Sequence, residues 1–126
     1  MKFVERKIIF YGSYFVDFYL EQTTKVQEKI EFVFRIIKQV ERVSKKFLTP
    51  MENTGGLYEI RVEYSTNIYR IFCCFDEENI VVLFNAFQKK TQRTPLKEIE
   101  KALRLKREYF ELNKTKENER RSNKKR

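Results

Sequence analysis

Histidine and tryptophan are both absent from this 126-residue chain, and glycine, proline and cysteine number only three, two and two. Without histidine there is neither the usual imidazole acid–base nor the commonest metal ligand. Any chemistry must therefore rest on Lys, Arg, Tyr, Asp or Glu, and neither a metal nor another cofactor is expected. The two cysteines, Cys73 and Cys74, adjoin in a stretch that reads as strand. Neighbours on a strand point to opposite faces, so these thiols are poorly placed to bond to each other and read as small apolar residues in a reducing compartment. No apolar run is long enough to span a bilayer, and the N-terminus shows no signal-peptide pattern, so the expected location is the cytoplasm with no membrane partner.

What the chain has in quantity is aromatic residues and positive charge. Twelve Phe and seven Tyr bring the aromatic share to 15%, a composition that folds. The length suits one domain with a single core of ordinary size. Lys and Arg outnumber Asp and Glu by 27 to 18, a net charge of +9 that favours an anionic partner, nucleic acid first. Part of that charge is local. The last fourteen residues, "NKTKENERRSNKKR" (Asn113–Arg126), carry seven cations against two glutamates and no apolar side chain. They are expected to form a disordered basic tail behind a folded domain of residues 1–112.

Along the chain, "RKIIFYG" (Arg6–Gly12) reads as a first strand stopped by Gly12. Phe15, Phe18 and Tyr19 then follow at helical spacing, with Ser13 as N-cap. Val26, Ile30, Val33, Ile37 and Val40 alternate steps of four and three, which predicts an amphipathic helix from Thr24 to about Ser44. The two helices form a hairpin joined near Gln22–Thr24 and cover one side of a sheet. "KKFLTPMENTGG" (Lys45–Gly56) reads as a loop. Three strands follow, Leu57–Tyr64, Ile68–Phe75 and Ile80–Gln88, with short polar links that predict an antiparallel meander. Thr94 caps a last helix with Pro95 at its first position. Ile99, Ala102, Leu103 and Phe110 give that helix an apolar face. The fold class is α+β.

Alternation along strands decides which charges can meet. Aligning Ile60 and Val62 with Tyr69 and Ile71 places Arg61 opposite Arg70. Reading "DEEN" as a four-residue loop places Phe75 opposite Ile80 and Arg70 opposite Asn85. One face is then core: Ile60, Val62, Ile71, Cys73, Phe75, Ile80, Val82, Phe84 and Ala86. The other carries Glu59, Arg61, Glu63, Arg70, Asn85, Phe87 and Lys89, with Phe72 and Leu83 among them. Two arginines directly opposite each other repel, by up to about 1 kcal/mol. Glu59 and Glu63 could offset this as a solvated charge ladder, or an anion held in the cleft could. Arginine forks suit phosphate. On a sheet without histidine, RNA cleavage by 2′-OH attack on the adjacent phosphate is the reaction such cations would support.

The stretch "GGLYEIRVEYSTNIYRIFCCFDEENIVVLFNAFQKKTQRTPLKEIEKALRLKREYF" resembles the RelE/HigB-type toxins of bacterial type II toxin–antitoxin systems, in their phage-derived Gp49-like branch. The ordered set Y-E-[IL]-R, Y-R-I and F-x-K-K-T-x-x-T-P followed by E-I-x-x-A carries the resemblance. It implies a RelE-like fold and a metal-independent endoribonuclease that cuts mRNA in the ribosomal A site. It also implies neutralisation by a cognate helix-turn-helix antitoxin, through which operator DNA is engaged indirectly. By the same resemblance Arg61 contacts phosphate, Arg70 stabilises the transition state, and Lys90 or its neighbour Lys89 assists the leaving group. Glu59, Tyr64, Asn85, Phe87 and Arg93 complete the RNA-binding candidates.

The chain departs from the family where one branch has a second basic residue two before Arg61, here Glu59. It also lacks both the tyrosine that branch carries near Leu96 and the histidines of another branch. The general base is left open among Glu59, Glu63 and Tyr64, while Tyr109 reads as core. The alternatives are a ParE-like gyrase poison of the same superfamily and a member that binds without cutting; the fold does not separate them, while the Arg61/Arg70/Lys90 set argues for the nuclease. For the last strand, alternation puts Lys89 on the Arg70 face, whereas the family motif points to Lys90.

Overall fold

A computed structural model describes residues 3–90 and 93–124. The elements run β1 (Lys7–Phe10), α1 (Tyr14–Leu20), α2 (Thr24–Gln39), β2 (Leu48–Pro50), β3 (Tyr58–Tyr64), β4 (Asn67–Asp76), β5 (Ile80–Lys89) and α3 (Leu96–Lys124). The five strands form one sheet in the order β1-β5-β4-β3-β2. The predicted β3–β4–β5 meander is antiparallel, and β1 joins β5 in parallel, which makes the sheet mixed.

The helical hairpin forms as the apolar spacing predicts. Val26, Ile30, Val33, Phe34 and Ile37 are buried along α2 and pack with Phe15 of α1 on one face of the sheet. Thr23 caps α2, its hydroxyl accepting from the Val26 N–H at 3.3 Å. Ser13 sits at the N-cap of α1 but donates to the Asp17 carboxylate instead of accepting from the backbone.

The second helix stops at Gln39, several residues short of the predicted Ser44. The stop has a visible cause. The Arg6 guanidinium donates to the carbonyls of Ile37, Val40 and Glu41 at 2.8, 2.6 and 2.6 Å, taking up acceptors left over at a helix C-terminus. Removing this charged cap by Arg6→Ala is expected to cost about 2 kcal/mol, since hydrogen bonds from a charged donor and the helix dipole both contribute. Urea unfolding should show the lower midpoint, while Lys7→Ala beside it, an exposed position, should stay within about 0.5 kcal/mol of the parent.

The other face of the sheet is covered as well. Ala102 and Leu105 of α3 lie fully buried against Leu57, Phe72, Cys74, Val82 and Phe84. A single core face was expected, and there are two. Ile80, Val82 and Phe84 belong to the α3 side, not to the helical-hairpin side, and Leu83 belongs to the hairpin side. The β4–β5 loop is the reason. Asp76 pairs with Ile80, so three residues, Glu77–Asn79, make the turn, with Glu77 at φ 59°. The strands then slip by one residue between Ile71/Ala86 and Cys73/Leu83, where Phe84 and Asn85 together face Phe72 as a bulge.

Two further expectations change. The stretch read as a loop at Lys45–Gly56 contains the short edge strand β2, paired with Tyr58–Ile60. The last helix continues to Lys124, through most of the stretch expected as a tail, and from Lys114 to Arg120 its side chains are exposed. Burial pushes the Cys73 thiol well up and that of Cys74 to about 12, so both stay protonated within the fold. Among the described residues, no helix is long and apolar enough to cross a membrane.

Candidate functional site

The β3–β4 hairpin sets the geometry. Tyr64 pairs with Asn67 across a two-residue turn in which Ser65 takes φ 56°, a positive value that tight hairpins require. That turn fixes the register and brings Arg61 directly opposite Arg70, as alternation predicts. Each arginine has its own carboxylate. Glu63 lies 2.7 Å from the Arg61 guanidinium at a half-exposed position. Glu59 bonds the Arg70 guanidinium, and their side chains are only 12% and 10% exposed. The charge ladder is therefore real, and it offsets the repulsion between the facing arginines. The Nε–H groups of Arg61 and Arg70 are buried without a hydrogen-bond partner among the described residues.

These residues line an open cleft of about 390 Å³, together with Lys45, Lys46 and Thr49. Lys45, Lys46 and Thr49 escaped the reading of the sequence. The loop and short strand that carry them lie against β3 only because Leu48–Pro50 pairs there, and a three-residue strand ending in proline leaves almost no periodic signal. The adjacent lysines of "SKKF" were the one cue.

The other candidates separate cleanly. Lys89 is the last residue of β5 and is half-buried, whereas Lys90 lies beyond the strand and is exposed. Burial, reinforced by the charges of Arg70 and Arg61 and opposed by Glu59, lowers the Lys89 ammonium below its ordinary value. Lys89 stands two residues beyond Phe87, the cross-strand partner of Arg70, and so shares the arginine face. Phe87, not Asn85, is the direct cross-strand partner of Arg70, and its ring lies 5.5 Å from that of Phe72.

Asn85 is buried and donates to the Glu98 backbone carbonyl at 3.0 Å and to its carboxylate at 2.8 Å, which ties β5 to the first turn of α3. It lies outside the cleft lining. Tyr64 follows the alternation of Ile60 and Val62, opposite to Arg61, and is exposed at the hairpin end. Arg93 is exposed in the connection to α3. Tyr109 is partly buried in the α3-side core, as expected, and donates to Asp76 at 2.6 Å. Burial and that bond raise its phenol.

A larger hollow of about 570 Å³ lies at the other end of the sheet, lined by both signs of charge, and its Arg6 is occupied by the carbonyls of α2. The cation-lined cleft is the better candidate. Among the described residues, no group of three or more Cys, Asp or Glu side chains could hold a metal ion.

A sheet with a helical hairpin on one face, a C-terminal helix on the other and basic residues across its central strands has the plan of a RelE-like fold. The family model of the phage-derived Gp49-like proteins (DUF891) matches residues 17–107, and the chain belongs to that family, one of RelE/ParE-like toxins. The matched span takes in every residue that lines the cleft. No curated protein matches the chain.

Proposed function

We propose that this protein is the toxin of a type II toxin–antitoxin system and cleaves mRNA in the ribosomal A site without a metal, in the cytoplasm, until a helix-turn-helix antitoxin neutralises it. The observation that carries the reading is the pair of arginines facing each other across β3 and β4 in an open cleft, with Lys89 further along the same face of the sheet. Two guanidinium groups held this way offer forks for the oxygens of one phosphate.

In the reaction the 2′-oxygen attacks the adjacent phosphorus and the bond to the 5′-oxygen of the next nucleotide breaks, leaving a cyclic phosphate and a 5′-hydroxyl. Arg61 orients the phosphate. Arg70 meets the charge that grows on its non-bridging oxygens, where a preorganised donor acts most strongly. Lys89 gives the departing 5′-oxygen its proton. Glu59, the carboxylate paired with Arg70, takes the 2′-proton once phosphate has displaced it from the guanidinium.

The test is induced expression followed by primer extension on cellular mRNA. New 5′ ends within codons are expected. Growth arrest without them, or arrest with DNA gyrase trapped on cut DNA, overturns the nuclease reading.

The two adjacent lysines can be told apart in the same assay. Lys89→Ala is expected to slow cleavage about a hundredfold, the lower range for a lost general acid, and Lys90→Ala less than about threefold. Because the Lys89 ammonium is lowered, it is lost at a lower pH than an ordinary lysine at 10.5. The alkaline fall in rate should therefore come below that value and move upward in Lys89→Arg.

A further inference from the structure

We propose that the rim of the cleft carries a second subsite, formed by Lys29, Phe32, Lys46 and Phe47, for a neighbouring nucleotide of a single-stranded RNA. It rests on the functional reading above. The strand β2 covers only Tyr58–Ile60, so the Arg61–Tyr64 half of β3 lies at the rim of the sheet. There a second hollow of about 210 Å³ opens between Lys29, Lys46, Phe47, Arg61, Glu63 and Ser65. It shares Lys46, Arg61 and Glu63 with the arginine cleft, so the two hollows run together around the edge of the sheet.

The flank of this groove sets aromatic rings beside lysines. Phe32 is 42% exposed on α2. Its ring meets Phe47 edge-on at 6.5 Å and 77°. Lys29 stands 4.9 Å from the centre of the Phe32 ring, and Lys46 stands 5.7 Å from that of Phe47. Aromatic faces beside ammonium groups are what sequence-tolerant single-strand binding uses: the base stacks while the phosphate meets the cation. The one carboxylate in the groove, Glu63, is already engaged by Arg61. A protein strand docking on the same aromatic pair would have to bring its own negative charge, whereas an RNA strand leaving the arginine cleft carries a phosphate at every step.

The test is fluorescence anisotropy with labelled, fully 2′-O-methylated RNA of two and of six nucleotides, which binds but cannot be cut. The parent is expected to hold the hexamer more tightly than the dinucleotide. Phe32→Ala should weaken the hexamer about tenfold and leave the dinucleotide unchanged, in line with the loss of one stacked base. Lys29→Ala should reduce the slope of log affinity against log salt by about 0.7, one phosphate contact on a single strand. Unchanged hexamer binding in both variants, with the parent still favouring the longer RNA, overturns the subsite and leaves the nuclease reading standing. A parent that binds neither RNA overturns the subsite, and primer extension on cellular mRNA decides the nuclease reading separately.

Discussion

Arg70→Ala is expected to lower RNA cleavage by about a hundred- to a thousandfold, the usual cost of removing one preorganised donor from a developing oxyanion, and to relieve growth arrest. The residue is well placed for so large an effect. It stands in the middle of β4, opposite Arg61, with its guanidinium held by Glu59 in a setting where little water competes. Low exposure strengthens any interaction it makes with phosphate. The same burial complicates the simple variant. Alanine would leave the Glu59 carboxylate largely enclosed without its partner, at a cost of about 3–5 kcal/mol in stability. Loss of activity could then reflect loss of fold.

The paired variant Glu59→Leu/Arg70→Leu separates the two causes. Replacing a buried ion pair by apolar side chains of similar volume is often neutral or stabilising, so this protein is expected to unfold at a urea concentration no lower than the parent. It should nevertheless produce no new 5′ ends on mRNA. A folded double variant that still cuts would remove Arg70 from the proposed chemistry. Glu59→Gln gives a complementary reading. It keeps a hydrogen-bond acceptor beside Arg70 and removes the charge that competes with phosphate, so RNA should bind more tightly while any step that uses Glu59 as a base slows.

The arginine pair was legible in the sequence because a two-residue hairpin turn and one-sided alternation in "YEIRVEY" leave a single sensible register. The next hairpin offered no such constraint. In "IVVLFNAF" both faces are apolar, since one packs on the helical hairpin and the other on α3, so alternation cannot say which residue points where. Two errors follow from this and add up. The turn is one residue shorter than read and the bulge at Phe84–Asn85 shifts the pairing by one more, so the register moves by two residues and the faces return to their predicted sides. Before the bulge the predicted faces of Ile80, Val82, Leu83 and Phe84 are inverted. Beyond it Ala86, Phe87 and Lys89 lie where alternation puts them, although Phe87 rather than Asn85 meets Arg70. A bulge depends on packing from both sides, which no local pattern records. Lys45, Lys46 and Thr49 were hidden for a related reason: they reach the cleft through tertiary pairing of a strand too short to show a period.

The second large effect concerns that hidden layer. Phe72→Ala is expected to destabilise the protein by about 3–5 kcal/mol, the range for deleting a buried phenylalanine. Phe72 is fully buried on the α3 side, in one core with Leu57, Cys74, Phe84, Ala102 and Leu105, and its ring meets Phe87. Collapse into the gap is hindered from both sides. The neighbouring backbone is held in the middle of the sheet between β3 and β5, and α3 is tied down by Asn85 to Glu98 at one end and Tyr109 to Asp76 further along. A cavity that cannot close keeps the larger part of its cost. Leu112→Ala on the same helix, half exposed, should change stability by no more than about 0.5 kcal/mol. Urea unfolding of the two variants should therefore differ by several kcal/mol, and similar values would show that α3 is only loosely laid on the sheet. The comparison bears on function because Phe72 lies across from Glu59 on β3 and against Phe87 on β5. Those two residues flank Arg70, the first as its ion-pair partner and the second as its cross-strand neighbour. Wherever the Phe72→Ala protein remains folded, its cleavage rate should fall as well, because the guanidinium would lose the packing that holds its surroundings in place.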